Sequence, residues 1–165
     1  MTRIQPVPLP DDLPVRNNLV GAAYANPEMF RGFASLSGRV HRASHLPDRI
    51  RELALLAVAG LLGADYEWQQ HARIAGHTGI TEDELAALRT GDAGAFDGAD
   101  RAAVAFAVAV ERCQVDDAAW ATARRHFSDV ELVDLAMLAG FYGLASRFVL
   151  ALDVDLEEPP VGATP

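Results

Sequence analysis

Lysine is absent from this chain, and all 14 of its basic residues are arginine. That excludes a lysine Schiff base and a phosphate-loop lysine. Cysteine is nearly absent as well. Cys113 stands alone, so no intrachain disulfide can form and no dithiol within one chain can cycle. It follows the apolar run 102–110, and a buried, inert thiol is expected there. Positive charge is in deficit, with a net charge of −9. A nucleic-acid groove needs clustered basic residues, so no nucleic-acid partner is expected. Long charge-free apolar stretches are also missing. Residues 53–64 come closest to a membrane span, and that run has the length of a buried helix, so no membrane partner is expected. The first residues, Met1-Thr2-Arg3-Ile4, lack the charged-then-apolar build of a secretory signal, which points to the cytoplasm.

What the chain does contain is apolar residue with helical punctuation. Half of its 165 residues are hydrophobic, enough for one domain with a substantial core. Asn26-Pro27 reads as a cap followed by proline at the first helical position, opening a helix to about Val40. Pro47 opens a second helix, which Gly63 stops. Asp65 is expected to cap a third, ending at Gly79. Thr81-Glu82-Asp83-Glu84 is a capping box for a short helix to about Arg89. Residues 90–98 read as a loop. Asp97 or Asp100 starts a helix through about Arg112 that is apolar on every side, and is therefore buried in the domain or in a subunit interface. Asp116 or Asp117 opens a helix to about Phe127. Ser128-Asp129-Val130-Glu131 opens a long one to about Leu150. The fold class is all-α, with about seven or eight helices in a single domain over 1–152. Residues 153–165 form an acidic, proline-containing tail, expected to be loose. The first 15 residues hold four prolines and are expected to be extended.

Glu67 and His71 carry the chemistry. In a helix over 65–77 they stand one turn apart on one face. A carboxylate accepting a hydrogen bond from an imidazole fixes its tautomer and makes it a stronger base, leaving the second nitrogen to move a proton. The bland alternative is a surface i,i+4 pair worth a few tenths of a kcal/mol. Glu52 lies among Leu53, Leu55 and Leu56 and needs a partner if it is buried. That partner is either Arg49 or Arg51 on its own helix, or His71. An antiparallel hairpin about Gly63 sets Glu52 opposite residue 75, roughly 6 Å along the axis from His71. Trp68 points about 100° away from Glu67 and reads first as core. Tyr142 offers a hydroxyl, and Arg147 offers either a carboxylate clamp or an ion pair with one of the many acids. Glu67 and His71 could supply two metal ligands and His41, His45, His77 or His126 a third. No second paired motif supports a metal site, and none is expected.

Several segments together resemble one family. They are Leu46-Pro47-x-Arg49-x-Arg51-Glu52-Leu53, Tyr66-Glu67-Trp68-x-x-His71, Gly79-Ile80-Thr81-x-x-Glu84 and Gly140-Phe141-Tyr142 with Arg147-Phe148. The chain is similar over 46–152 to the carboxymuconolactone decarboxylase family, which includes the AhpD-type alkylhydroperoxidases. Redox members carry a Glu, a Cys-x-x-Cys and a His four residues on. Here Ala64 and Glu67 stand at the two cysteine positions, while Glu52 and His71 keep the Glu and the His. The resemblance implies the non-redox branch and an AhpD-like helical fold. It also implies a homo-oligomer, trimer or hexamer, with sites near subunit interfaces. The implied activity is that of a lyase or isomerase without a cofactor, acting on a small organic acid or lactone. His71 would be the general acid/base, Glu67 and Glu52 its partners, and Tyr142, Arg147 and Trp68 would border the small-molecule substrate. Two other readings are a non-catalytic helical oligomer that binds a ligand or protein partner, and a peroxidase working through Cys113 alone.

Overall fold

The computed structural model describes residues 1–5 and 7–158. Among them are eight α-helices and no strand. They are α1 (Asn18–Ala23), α2 (Pro27–Arg42), α3 (Asp48–Leu62), α4 (Asp65–His77), α5 (Glu82–Leu88), α6 (Gly98–Glu111), α7 (Asp117–Ala123) and α8 (Asp129–Leu152). A single 3₁₀ turn, Ala93–Ala95, interrupts the loop before α6.

α3 is the central element and packs against α4, α5, α6 and α8. Every residue from Glu52 to Ala59 is buried, which is how an all-round apolar helix is satisfied inside a domain. Gly63 ends it in the left-handed conformation, at φ 66°. Its neighbour Ala64 donates its N–H back to the Ala59 carbonyl at 2.9 Å. This six-to-one bond is the Schellman form of helix stop, and only glycine enters it without strain. The chain reverses within two residues, so α4 returns along α3.

The capping signals map closely onto the observed starts. Asn26 accepts from Met29 N–H with Pro27 in the first turn of α2. Thr81 and Ser128 head complete capping boxes, and Asp116 caps α7. Asp65 does not act as a cap. It is the first residue of α4, the cap position belongs to Ala64, and the Asp65 carboxylate instead pairs with Arg89 at 2.8 Å. α7 stops at Ala123, four residues before Phe127, and α8 runs two residues past Leu150.

Two expectations need correction, and one element goes beyond them. A short helix, α1, forms directly after the proline-rich opening, capped by the Asn17 side chain on Val20 N–H. The tail is not loose as far as it is described. Val154 is buried, and the Glu157 carboxylate accepts from Tyr66 O–H and from Asn18 N–H, both at 2.7 Å. Residues 159–165 lie outside the described part. Cys113 is exposed, just past α6 at φ 54°, because α6 ends before reaching it. α6 itself is mostly buried within the domain, although Ala105 faces outward.

Among the described residues, the helix long and apolar enough to cross a membrane is α8, not residues 53–64. A window of it reaches a mean hydropathy of 1.7, and half of that window is buried against the other helices.

Candidate active site

α2, α3, α4 and α8 meet around one polar cluster. Glu52 from α3 and His71 from α4 face each other across the hairpin, with Glu52 Oε2 3.0 Å from His71 Nδ1. The axial offset expected from sequence is closed by side-chain reach. Tyr142 from α8 stands on the other side of the imidazole, its hydroxyl 2.8 Å from His71 Nε2. The same hydroxyl is 2.7 Å from His41 Nε2 on α2. One arrangement of protons satisfies all three contacts when Glu52 is a carboxylate. His71 Nδ1–H donates to Glu52, Tyr142 O–H donates to His71 Nε2, and His41 Nε2–H donates to the phenol oxygen. The two imidazole rings lie parallel, 5° apart, with the phenol edge-on to each.

Glu67 is nine-tenths or more buried, at 5% exposure. It does not hydrogen-bond His71; Glu52 takes the role that sequence spacing suggested for Glu67. Glu67 Oε1 has no hydrogen-bond partner among the described residues. Burial holds its pKa above the ordinary 4.5, opposed by the nearby His71, because a carboxyl denied water prefers its neutral form. Burial acts in the opposite sense on His41, lowering its pKa below 6.5, with His71 reinforcing the shift. Tyr142 is pushed well above the usual phenol value by burial, with Glu67 and Glu52 adding to the effect.

A cavity of about 640 Å³ opens beside the cluster, lined by Glu67, His71, Tyr142 and His41. That size lies within the range that small-molecule sites occupy. Its apolar walls come from Phe30 and Phe33 of α2, Phe141 of α8, and Leu13 to Val15 of the opening segment.

The other two sequence candidates lie elsewhere. Arg147 pairs with Glu111 and hydrogen-bonds the Gly143 carbonyl, on a part of α8 that does not line the cavity. Trp68 packs in the core beneath the Arg89 guanidinium, 3.8 Å from ring centroid to carbon. His41 carries the opposite lesson. Sequence weighed it only as one of four optional metal ligands, and nothing in the spacing of a residue 30 positions from His71 signals that a tyrosine will bridge them. Among the described residues no group of three or more His, Cys, Asp or Glu side chains is arranged to hold a metal ion.

The fold is shared with several solved structures. An uncharacterized peroxidase-related protein from a Silicibacter species is 20% identical and superposes with a TM-score of 0.83, covering 98% of this chain and 94% of its own. A protein of unknown function from Agrobacterium tumefaciens, provisionally described as an AhpD antioxidant defence protein, is 22% identical with a TM-score of 0.77 over 95% of this chain and 99% of its own. The debrominase Bmp8 is 21% identical with a TM-score of 0.74 over 87% of this chain and 79% of its own. At such identities the likeness establishes the fold alone. No curated protein matches the sequence. Residues 27–111, more than half of the chain from the start of α2 to the end of α6, match the sequence profile of one family, and the chain belongs to it: the carboxymuconolactone decarboxylase family.

Proposed function

We propose that the protein is a cytoplasmic lyase or isomerase that works by acid/base chemistry, without a cofactor, on a small organic acid or lactone held in the α2–α4–α8 cavity. The observation that carries this reading is the pairing of a buried, unpartnered carboxyl, Glu67, with the Glu52–His71–Tyr142–His41 hydrogen-bond chain at the wall of one cavity. Decarboxylation breaks a carbon–carbon bond and leaves its electron pair as an enolate; double-bond migration begins by removing a proton to give the same species. Either path needs a proton delivered to or taken from carbon, and stabilisation of a developing oxyanion.

The shifted groups suit that task. Burial shifts Glu67 toward its protonated form, which has a proton to give. His41, held below the usual imidazole range, keeps a lone pair to receive one. Opposed shifts of this kind separate acid from base at one pH. His71, fixed by Glu52, passes a proton through the Tyr142 hydroxyl.

The thiol reading gains no support, since Cys113 is outside the cavity lining. A dehalogenation like that of Bmp8, which has been captured with 2,3,4-tribromopyrrole in a cysteine-to-alanine variant, has no cysteine at the cavity to draw on here. The reading includes a homo-oligomer, trimer or hexamer. Its support is a row of exposed apolar side chains on α8, Val130, Val133, Met137 and Leu144.

A screen of lactones and keto acids against wild type and His71→Ala tests the proposal. The variant should keep its helical circular dichroism and lose about 10²- to 10⁴-fold in turnover. A His71→Ala protein as active as wild type would remove the mechanism.

A further inference from the structure

The face of α4 that carries Glu67 continues outward in a row. Gln70 is one turn further on, and Arg73 one turn beyond that. All three line the cavity. At the inner end, Glu67 Oε1 and Gln70 Nε2 are both buried without a hydrogen-bond partner among the described residues. Leaving such groups unpaired is costly, and a bound ligand would relieve that cost.

At the outer end the side chains are charged and exposed. Arg73 and, from α2, Arg42 line the same cavity and are solvent-exposed, which marks its mouth. Neither has an ion-pair or hydrogen-bond partner among the described residues. In contrast, Arg49, Arg89 and Arg147 are each paired with acids. Position 38 contributes too. A Cβ there would run into the Arg42 guanidinium, so Gly38 leaves room for Arg42 to fold back along α2. Arg42 is close enough to His41 to oppose its protonation.

Polarity is thus graded along one helix. The cavity carries unpartnered polar atoms of Glu67 and Gln70, apolar rings of Phe30, Phe33 and Phe141, and the exposed guanidinium groups of Arg42 and Arg73. From Glu67 to Arg73 the axis rises roughly 9 Å at 1.5 Å per residue. We propose that the cavity binds a carbonyl acid in one fixed polarity, with its carboxylate at the mouth on Arg42 and Arg73, its apolar body between the phenylalanines, and its carbonyl oxygen on the Gln70 side-chain amide beside Glu67. This rests on the acid/base reading above and names the substrate class that the same cavity selects. Gln70 touches substrate in this scheme and holds the oxygen on which enolate charge develops. The two arginines set orientation and reject uncharged analogues.

Binding can be separated from chemistry by calorimetry with three probes. They are γ-benzoylbutyrate, its neutral amide γ-benzoylbutyramide, and δ-phenylvalerate, which lacks the ketone. Wild type should bind the keto acid about tenfold more tightly than either analogue. The Arg42→Gln/Arg73→Gln double variant should lose that advantage over the amide while binding the amide as before. Gln70→Leu should weaken both ketones and leave δ-phenylvalerate unchanged; Gln70→Glu, which swaps donor for acceptor at nearly constant shape, should do the same. Calorimetry needs no turnover, so these outcomes stand apart from the His71→Ala activity screen, which reports on the chemistry. Equal affinity for acid and amide, wild-type affinity in the double arginine variant, or no binding of any probe at millimolar concentration would overturn the assignment.

Discussion

Glu67 links the residue scale to a measurable pH dependence. Its pKa is higher in the folded chain than the ordinary 4.5, so the folded state holds the proton more tightly than the unfolded one. Stability from this group is therefore full below pH 4.5 and is lost as pH rises through the folded value. Glu67→Gln should match wild type in stability below that point and exceed it above neutrality, as read by urea titration across pH. His41 works in the opposite direction. Its folded pKa lies below 6.5, so its contribution is present above that value and is lost as pH falls through the folded one. At this scale sequence served well where chemistry follows the chain. Glu67, His71 and Tyr142 line one cavity, with Glu52 bonded to the imidazole, as a helical hairpin and a returning helix allow. It could not tell which carboxylate meets the imidazole, because a 3.0 Å contact depends on hairpin twist rather than spacing. Nor could it orient Arg147, whose acid partner, Glu111, sits on another helix.

Among the elements, the α3–α5 contact is the most exacting. A Cβ at Gly60 would fall 2.8 Å from the Arg89 Cα and closer still to the Leu88 carbonyl oxygen. Backbone cannot swing aside as a side chain can, so Gly60→Ala should cost about 1–3 kcal/mol in denaturant unfolding. Thr81→Ala and Ser128→Ala each remove a complete capping box and should cost about 1 kcal/mol apiece. Helix starts were the most readable elements for the same reason: a cap is a local bond between residues three apart. Ends were less so. α7 stops early and α8 late because packing, not a stop residue, decides them. α1 was missed since six residues give too little periodicity to see, and its stability comes from Glu157, 139 positions away from Asn18.

The whole molecule depends on that distant bond. Glu157 holds α1 and Tyr66 together, and Gln69 adds a reciprocal pair of bonds to its backbone at 3.0 and 3.3 Å. The segment it anchors, just before α1, supplies a wall of the cavity. Deleting residues 153–165 should lower the melting temperature by on the order of 10 °C and speed amide exchange through α1 by hydrogen–deuterium mass spectrometry. Glu157→Ala should speed that exchange with a smaller thermal loss. No local pattern announces such a strap, because its acid, phenol and amide come from three regions of the chain.

The indole of Trp68, clasped beneath Arg89 where α4 meets α5, has an optical consequence. α5 is only seven residues long, so its detachment would scarcely alter the far-ultraviolet dichroism of a helical protein. It would uncover the indole, and the emission of Trp68 would move to the red against the steady background of Trp120, already 45% exposed. Fluorescence should then register a local opening at lower denaturant than dichroism does, giving the protein an intrinsic gauge of motion next to Glu67.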